Sequence, residues 1–203
     1  MDDTKPGAKK RVGREIRQWV VALAVALLLV FVIRTFVFTV IRVDGESMQP
    51  TLYNNERLFV TVLDARLSGV DRGDVVICNY PGRTTAYVLG IKAKTCFVKR
   101  VVAVAGDTVS RRDGITYVTY GDTGETVDLD AAFQGLYDGD DYAYTLAAGE
   151  YFVVGDNRGD SHDSRDWKDS DPSRDVGPIT EDMIVGHVRA VIWPLSRFQL
   201  GIE

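Results

Sequence analysis

Histidine and cysteine are scarce in this 203-residue chain, two of each, and that narrows its chemistry. Cys78 and Cys96 are too few for a small fold stapled by disulfides. Their spacing matches no zinc motif, and only His162 and His187 are available to help them. The pattern fits two unpaired strand cysteines or, in an oxidising compartment, a single disulfide. No metal and no cofactor are expected. Positive charge is not in excess either: the formal net charge is -5. A nucleic-acid partner would demand a basic face for its phosphates, so none is expected. No internal repeat is evident, and no strong amphipathic helix follows the first forty residues. The remaining composition, 45% hydrophobic and 26% charged, is that of an ordinary folded protein. The length suits one globular domain with an appendage, or two small domains.

The chain does carry one long apolar run. Trp19 to Ile33 (WVVALAVALLLVFVI) is fifteen residues without a charge. As a helix it extends roughly 22 Å, less than the ~30 Å of a bilayer's hydrocarbon core. The apolar character resumes after Arg34 with TFVFTVI. The stretch 19–41 is long enough to span if Arg34 snorkels to the far interface. A cleaved secretory signal would need a small-x-small site after its core, and RTFVFTVIRV offers large side chains instead, which favours an uncleaved signal anchor. The run is apolar on every face, which suits lipid better than a globular surface. Lys5, Lys9, Lys10, Arg11, Arg14 and Arg17 precede it and would hold the N-terminus in the cytoplasm. The expected organisation is a basic tail (1–18), a transmembrane anchor (19–41) and an extracytoplasmic domain (42–203).

That domain reads as β. Arg57–Val62, Asp74–Tyr80, Thr95–Val104, Ile115–Tyr120, Glu150–Val154 and Met183–Trp193 are short strands separated by Gly, Asp and Pro. Strands at this spacing predict a sandwich or barrel. Gly121–Asp141 is acidic and turn-rich and reads as a solvated insertion with no chemistry, and a variable insertion is expected over about 110–148.

Four stretches carry candidate chemistry: GESMQPTL (45–52), RGDVV (72–76), FVKRVVAVAGDTV (97–109) and GDNRGDSHDSR (155–165). Ser47 lies between Gly45 and Pro50, on a turn-like backbone where free N–H groups would stabilise an oxyanion. A serine hydroxyl also needs a base; alone, such a serine is more often a cap or turn residue. One candidate base is His162, followed by Asp163; His187 sits in a strand-like GHVRA and reads as a packed residue. The other is Lys99. A solvated lysine is almost wholly protonated at neutral pH, but burial among Phe97, Val98, Val101 and Val102 would disfavour its ammonium and free the amine as a base. Strand alternation alone would instead place Lys99 on a solvated face. The loop GDNRGDSHDSR is either a polar turn cluster or a network fixing neighbouring strands. As a calcium loop it fails, because Arg158 interrupts it and the distal Glu is missing.

Taken together, these stretches resemble the type I signal peptidases, the membrane-anchored enzymes that remove signal peptides from exported proteins. The resemblance runs through RTFVFTVIRVDGESMQPTL, RGDVVI, FVKRVVAVAGDTV, YFVVGDNRGDSHDSR and VGHVRAVIWPLSRF, in the family's order and spacing. The single span and small size are similar to the forms common in Gram-positive bacteria. The resemblance implies a mainly β catalytic domain on one N-terminal transmembrane helix, in a bacterial cell membrane, acting on secretory preproteins, in contact with lipid and monomeric. It implies Ser47 as nucleophile, Lys99 as general base and Ser161 as the residue orienting the lysine amine. Asp163 would pair with Arg165, and Asp156 with Arg100. The Ser47 N–H would supply one oxyanion donor. Some members supply a second from a serine hydroxyl at the position held here by Gly45. Met48 would lie beside the substrate cleft. Two other readings stand against it: a Ser47-His162-Asp163 hydrolase, and a non-enzymatic anchored module that binds extended peptides or cell-wall ligands. Self-cleaving repressors also use Ser-Lys, but they carry a DNA-binding domain rather than a membrane span.

Overall fold

A computed structural model describes residues 6–88, 91–130, 140–167 and 175–202. Its first element is α1 (Pro6–Phe36), 31 residues long. Within it Gly13–Arg34, 22 residues, is long and apolar enough to cross a membrane. At ~1.5 Å per residue those 22 residues cover about the thickness of the hydrocarbon core.

The helix stops before the end of the expected span 19–41. β1 (Phe38–Arg42) follows almost at once, antiparallel to β2 (Arg57–Thr61), with Val40 opposite Phe59. The β-branched run Thr39-Val40-Ile41 favours a pleated strand. The Phe38 and Phe59 rings, 5.1 Å apart, close the pair. The end of α1 is therefore joined directly to the sheet rather than through a free linker. A one-and-a-half-turn helix, α2 (Val62–Leu67), follows β2; its Val62 and Leu63 N–H groups both donate to the Val37 carbonyl, beside the exit of α1.

The long strands β3 (Val75–Val88) and β4 (Ile91–Ala103) form an antiparallel pair. A second group of strands comes next: β5 (Thr108–Arg112), β6 (Ile115–Thr119), β7 (Thr126–Asp128) and β8 (Tyr142–Thr145). The chain then returns through β9 (Glu150–Val154), β10 (Ile179–Thr180), β11 (Ile184–Trp193) and β12 (Gln199–Leu200). The main sheet runs β1-β2-β11-β3-β4-β9-β10, with β12 beside β11. The smaller sheet runs β7-β6-β5-β8. The fold is thus mainly β with one N-terminal apolar helix.

Alternation along β3 divides the main core. Val75 and Ile77 pack with Met48, Leu52, Leu58, Val60, Val188 and Val191. Val76 and Cys78 pack in a separate cluster with Val101, Val153 and Ile179. The same period-two geometry explains the cysteines. Cys78 pairs with Phe97, and Cys96 pairs with Asn79. The two cysteines therefore sit on adjacent strands but opposite faces, Cys78 buried and Cys96 exposed.

The stretch 110–148 is exposed at 121–125, whereas its strands are built into the fold. Its described residues supply most of the smaller sheet, which buries Val109, Val118, Leu129, Tyr142 and Leu146 against Ala103, Phe152 and Val154. Single valines set between polar neighbours gave this stretch an inward face. Residues 131–139 lie outside the described residues.

Candidate active site

Ser47 is carried by the connection between β1 and β2. The base of that loop is closed by Val43 N–H to Glu56 carbonyl (2.8 Å) and Asn55 N–H to Val43 carbonyl (2.9 Å). Buried Glu56 accepts from Tyr53 N–H (2.9 Å) and Arg197 Nε (2.7 Å). Around the serine the backbone makes a turn, with Leu52 N–H bonded to the Met48 carbonyl at 2.8 Å. Met48 (2% exposed) and Leu52 (0%) are driven into the core and fix that turn. Met48 is thus a core residue beneath the loop that carries the serine. Gly45, with φ of +112°, holds a backbone conformation that side-chain-bearing residues rarely adopt. Its N–H lies 3.4 Å from Asn54 Oδ1.

Lys99 reaches the serine from β4, where it pairs with Val76. Its Nζ lies 2.7 Å from Ser47 Oγ in a hydrogen bond, and the residue is 3% exposed. Burial pushes the lysine pKa down, opposed mainly by the negative charge of Asp163. Strand alternation does not send Lys99 to solvent, because its face of β4 is covered.

The third component is the loop after β9. Gly155 leaves no room for any side chain: a Cβ there would lie 2.2 Å from Ser161 Oγ and 2.4 Å from the Ser47 carbonyl oxygen. The loop grips the serine's own backbone, with Asn157 N–H to the Ser47 carbonyl (3.0 Å) and Asn157 Nδ2 to the Glu46 carbonyl (3.2 Å). Asp163 is fully buried and accepts from Gly155 N–H (2.9 Å), Ser161 Oγ (2.5 Å) and Arg165 Nε (2.9 Å). These donors hold its carboxyl below the usual range against the opposing effect of burial. The Ser161 hydroxyl thus donates to Asp163, and among the described residues it makes no hydrogen bond to Lys99. Asp156 binds Arg100 through two contacts of 2.8 Å and accepts from Thr51 Oγ1 at 2.6 Å. This ties β4 and the serine loop to the same carboxylate.

The structure therefore brings Ser47, Lys99, Ser161, Asp163, Arg165, Asp156 and Arg100 into one connected cluster. His162 is turned elsewhere, with Nδ1 3.0 Å from Asp166. His187 is buried, its two ring nitrogens 3.3 Å from Asp64 and 3.4 Å from Asp74. Three participants were missed by sequence reasoning. Gly155 and Asn157 lie within a motif already singled out, but their roles are contacts across more than a hundred residues. Asp130, fully buried, binds Arg165 NH1 at 2.7 Å; it is one acid among many in its stretch, and nothing local marks it. Among the described residues no group of His, Cys, Asp and Glu could hold a metal ion.

Comparisons with known proteins agree in kind. The sequence profile of "Signal peptidase, peptidase S26" matches residues 16–193. Signal peptidase I P of Bacillus subtilis subsp. natto is 33% identical over 200 residues, covering 94% of this chain and 96% of its own. Signal peptidase IB of Staphylococcus aureus (strain COL) is 30% identical over 203 residues, covering 92% and 94%. The crystal structure of a signal peptidase I from Enterococcus faecalis aligns with a TM-score of 0.36 at 22% identity, over 59% of this chain and 96% of that one.

Proposed function

The chain belongs to the signal peptidase family, peptidase S26, and on that premise we propose that it is a membrane-anchored serine endopeptidase that cleaves signal peptides from exported preproteins with a Ser47-Lys99 dyad. The observation that carries the reading is the 2.7 Å contact between Lys99 Nζ and Ser47 Oγ inside a buried strand environment. Burial favours the neutral amine. That amine takes the Ser47 proton as the oxygen attacks the carbonyl after the signal peptide's last small residue. The resulting tetrahedral oxyanion faces the Ser47 N–H, which donates to no acceptor among the described residues. Gly45 contributes no hydroxyl, and its positive φ disfavours a serine there. Collapse expels the mature protein's amine, protonated by Lys99, and leaves an acyl-enzyme. Lys99 then deprotonates a water that releases the signal peptide.

Ser161, Asp163 and Arg165 hold the loop that cradles the serine backbone, and Asp156 with Arg100 fixes the strand that carries the lysine. Specificity for small-x-small motifs and binding of substrate as an added strand follow the family's pattern. The basic residues before Trp19 orient the N-terminus of α1 to the cytoplasm. The catalytic domain then faces the outer leaflet, where signal peptides emerge, and works as a monomer. The histidine-based alternative is disfavoured because His162 and His187 are engaged by Asp166, Asp64 and Asp74 rather than by Ser47.

The test is incubation of the purified full chain, in detergent, with a precursor whose signal ends in Ala-x-Ala, followed by mass spectrometry of the products. Wild type should cut after the second alanine and Lys99→Ala should not. Retained cleavage by Lys99→Ala would remove the dyad; cleavage at another position would remove the specificity.

A further inference from the structure

A fully buried ion pair links the smaller sheet to the candidate active site. Asp130 follows β7 and is 0% exposed. One carboxylate oxygen accepts from Thr116 N–H at 2.9 Å, which fixes it to β6. The other accepts from Arg165 NH1 at 2.7 Å. Arg165, also 0% exposed, spends the opposite edge of its guanidinium on Asp163, with Nε to Oδ1 and NH2 to Oδ2 both at 2.9 Å. A planar, permanently charged fork held on two edges has no rotational freedom left. Its orientation sets that of Asp163, whose Oδ2 also accepts the Ser161 hydroxyl and the Gly155 N–H beside the Ser47 backbone.

We propose that Asp130 is a positioning residue for the catalytic centre: acting through Arg165, it sets the Asp163 carboxylate and with it the loop packed against Ser47. The inference rests on the Ser47-Lys99 reading above. It gives the smaller sheet a role in catalysis beyond covering the core. Removing the Asp130 charge takes the carboxylate from one edge of a buried guanidinium, which is strongly unfavourable. The relief open to Arg165 is to swing toward water, and the swing carries Asp163 with it. Gly155 and Asn157 transmit the shift, because there is no slack between Gly155 and the Ser47 carbonyl. A displacement on the order of 1 Å near a reacting group lowers turnover by about 100-fold.

The experiment compares Asp130→Asn with wild type as full chains in detergent micelles, using the same precursor, with rates normalised to the folded fraction from thermal melts. Asparagine keeps an acceptor for Thr116 N–H. The expected result is a fall in kcat of about 10- to 100-fold with KM within about twofold, because the preprotein-binding surface is untouched. The decisive arm is the double variant: Asp130→Asn should cause no further loss in an Asp163→Asn background, since both act on one carboxylate. Normal kcat in Asp130→Asn after normalisation, or losses that multiply in the double variant, would overturn the proposal and leave Asp130 as a structural pair only. Should the asparagine chain fail to fold, Asp130→Ser, which leaves space for water at the Arg165 edge, is put to the same measurements. Ser47→Ala and Lys99→Ala run in parallel separate the two readings. Activity in either removes the dyad itself, whereas their inactivity beside a normal Asp130→Asn removes only the positioning role.

Discussion

Gly155→Ala is the sharpest single perturbation of this site, because it adds one methyl group and alters no candidate catalytic atom. The added Cβ would meet Ser161 Oγ at 2.2 Å and the Ser47 carbonyl oxygen at 2.4 Å, where real Cβ contacts essentially never fall below 3.0 Å. Ser161 is a short side chain already committed to Asp163, so rotating it away breaks that hydrogen bond. The Ser47 carbonyl is backbone, and it must retreat on the order of 1 Å, which breaks its 3.0 Å bond from Asn157 N–H and shifts the serine hydroxyl relative to Lys99. Overpacking of this kind costs typically ~1–3 kcal/mol of stability, and a 1 Å misplacement near the chemistry costs about 100-fold in rate. The assay pairs thermal melting with precursor cleavage at saturating and limiting substrate. The expected variant is folded, with a modestly lower Tm, and loses about two orders of magnitude in kcat/KM. A Gly155→Ala enzyme within threefold of wild type would refute the claim that this loop positions the nucleophile.

Other perturbations test separate parts of the account. Because the neutral amine is the active form and burial lowers the Lys99 pKa, kcat/KM should be low where the ammonium dominates and rise with pH. Its midpoint should lie below the ~10.4 of a free lysine; a midpoint at or above that value would contradict a desolvated base. Asp107→Ala strips acceptors from Arg72 (2.6 and 2.7 Å), Val104 N–H and Gly121 N–H at a site that is 0% exposed. It should cost about 3 kcal/mol in chemical denaturation, and a loss below about 1 kcal/mol would mean that the pair adds no more than a surface ion pair does. A thiol reagent should label Cys96 in the native chain and reach Cys78 only after unfolding, since the first is exposed and the second is buried with its thiol pKa pushed up by desolvation. Equal labelling rates would contradict the placement of the two on opposite faces of the β3–β4 pair.

The sequence by itself determined what is local. Unbroken apolar character from Trp19 to Ile33 gives a helix fit for lipid. The aromatic and β-branched run Glu150–Val154 gives a strand with its observed limits. The identity of Ser47 and Lys99 as the residues worth watching also came from the chain, because no histidine stood near the serine and a lysine lay among apolar neighbours. What the local pattern misjudged depended on partners distant in sequence. The end of α1 was set by a strand pairing of Phe38–Arg42 with Arg57–Thr61, which removed residues 38–41 from the expected span. Leu129, at the end of an otherwise exposed acidic stretch, is buried because it, Val109 and Val118 found Phe152 and Val154 to cover.

Only the tertiary structure decided whether Lys99 is solvated or dry, since alternation assigns a face but not what covers it. It also decided which proton acceptor Ser161 meets, why residue 155 must be glycine and why one aspartate among many, Asp130, is buried against Arg165. These are contacts of side chains and backbone separated by between two and more than a hundred positions. Burial, unlike helix or strand propensity, belongs to the folded assembly as a whole, and it is burial that turns an ordinary lysine into a candidate base.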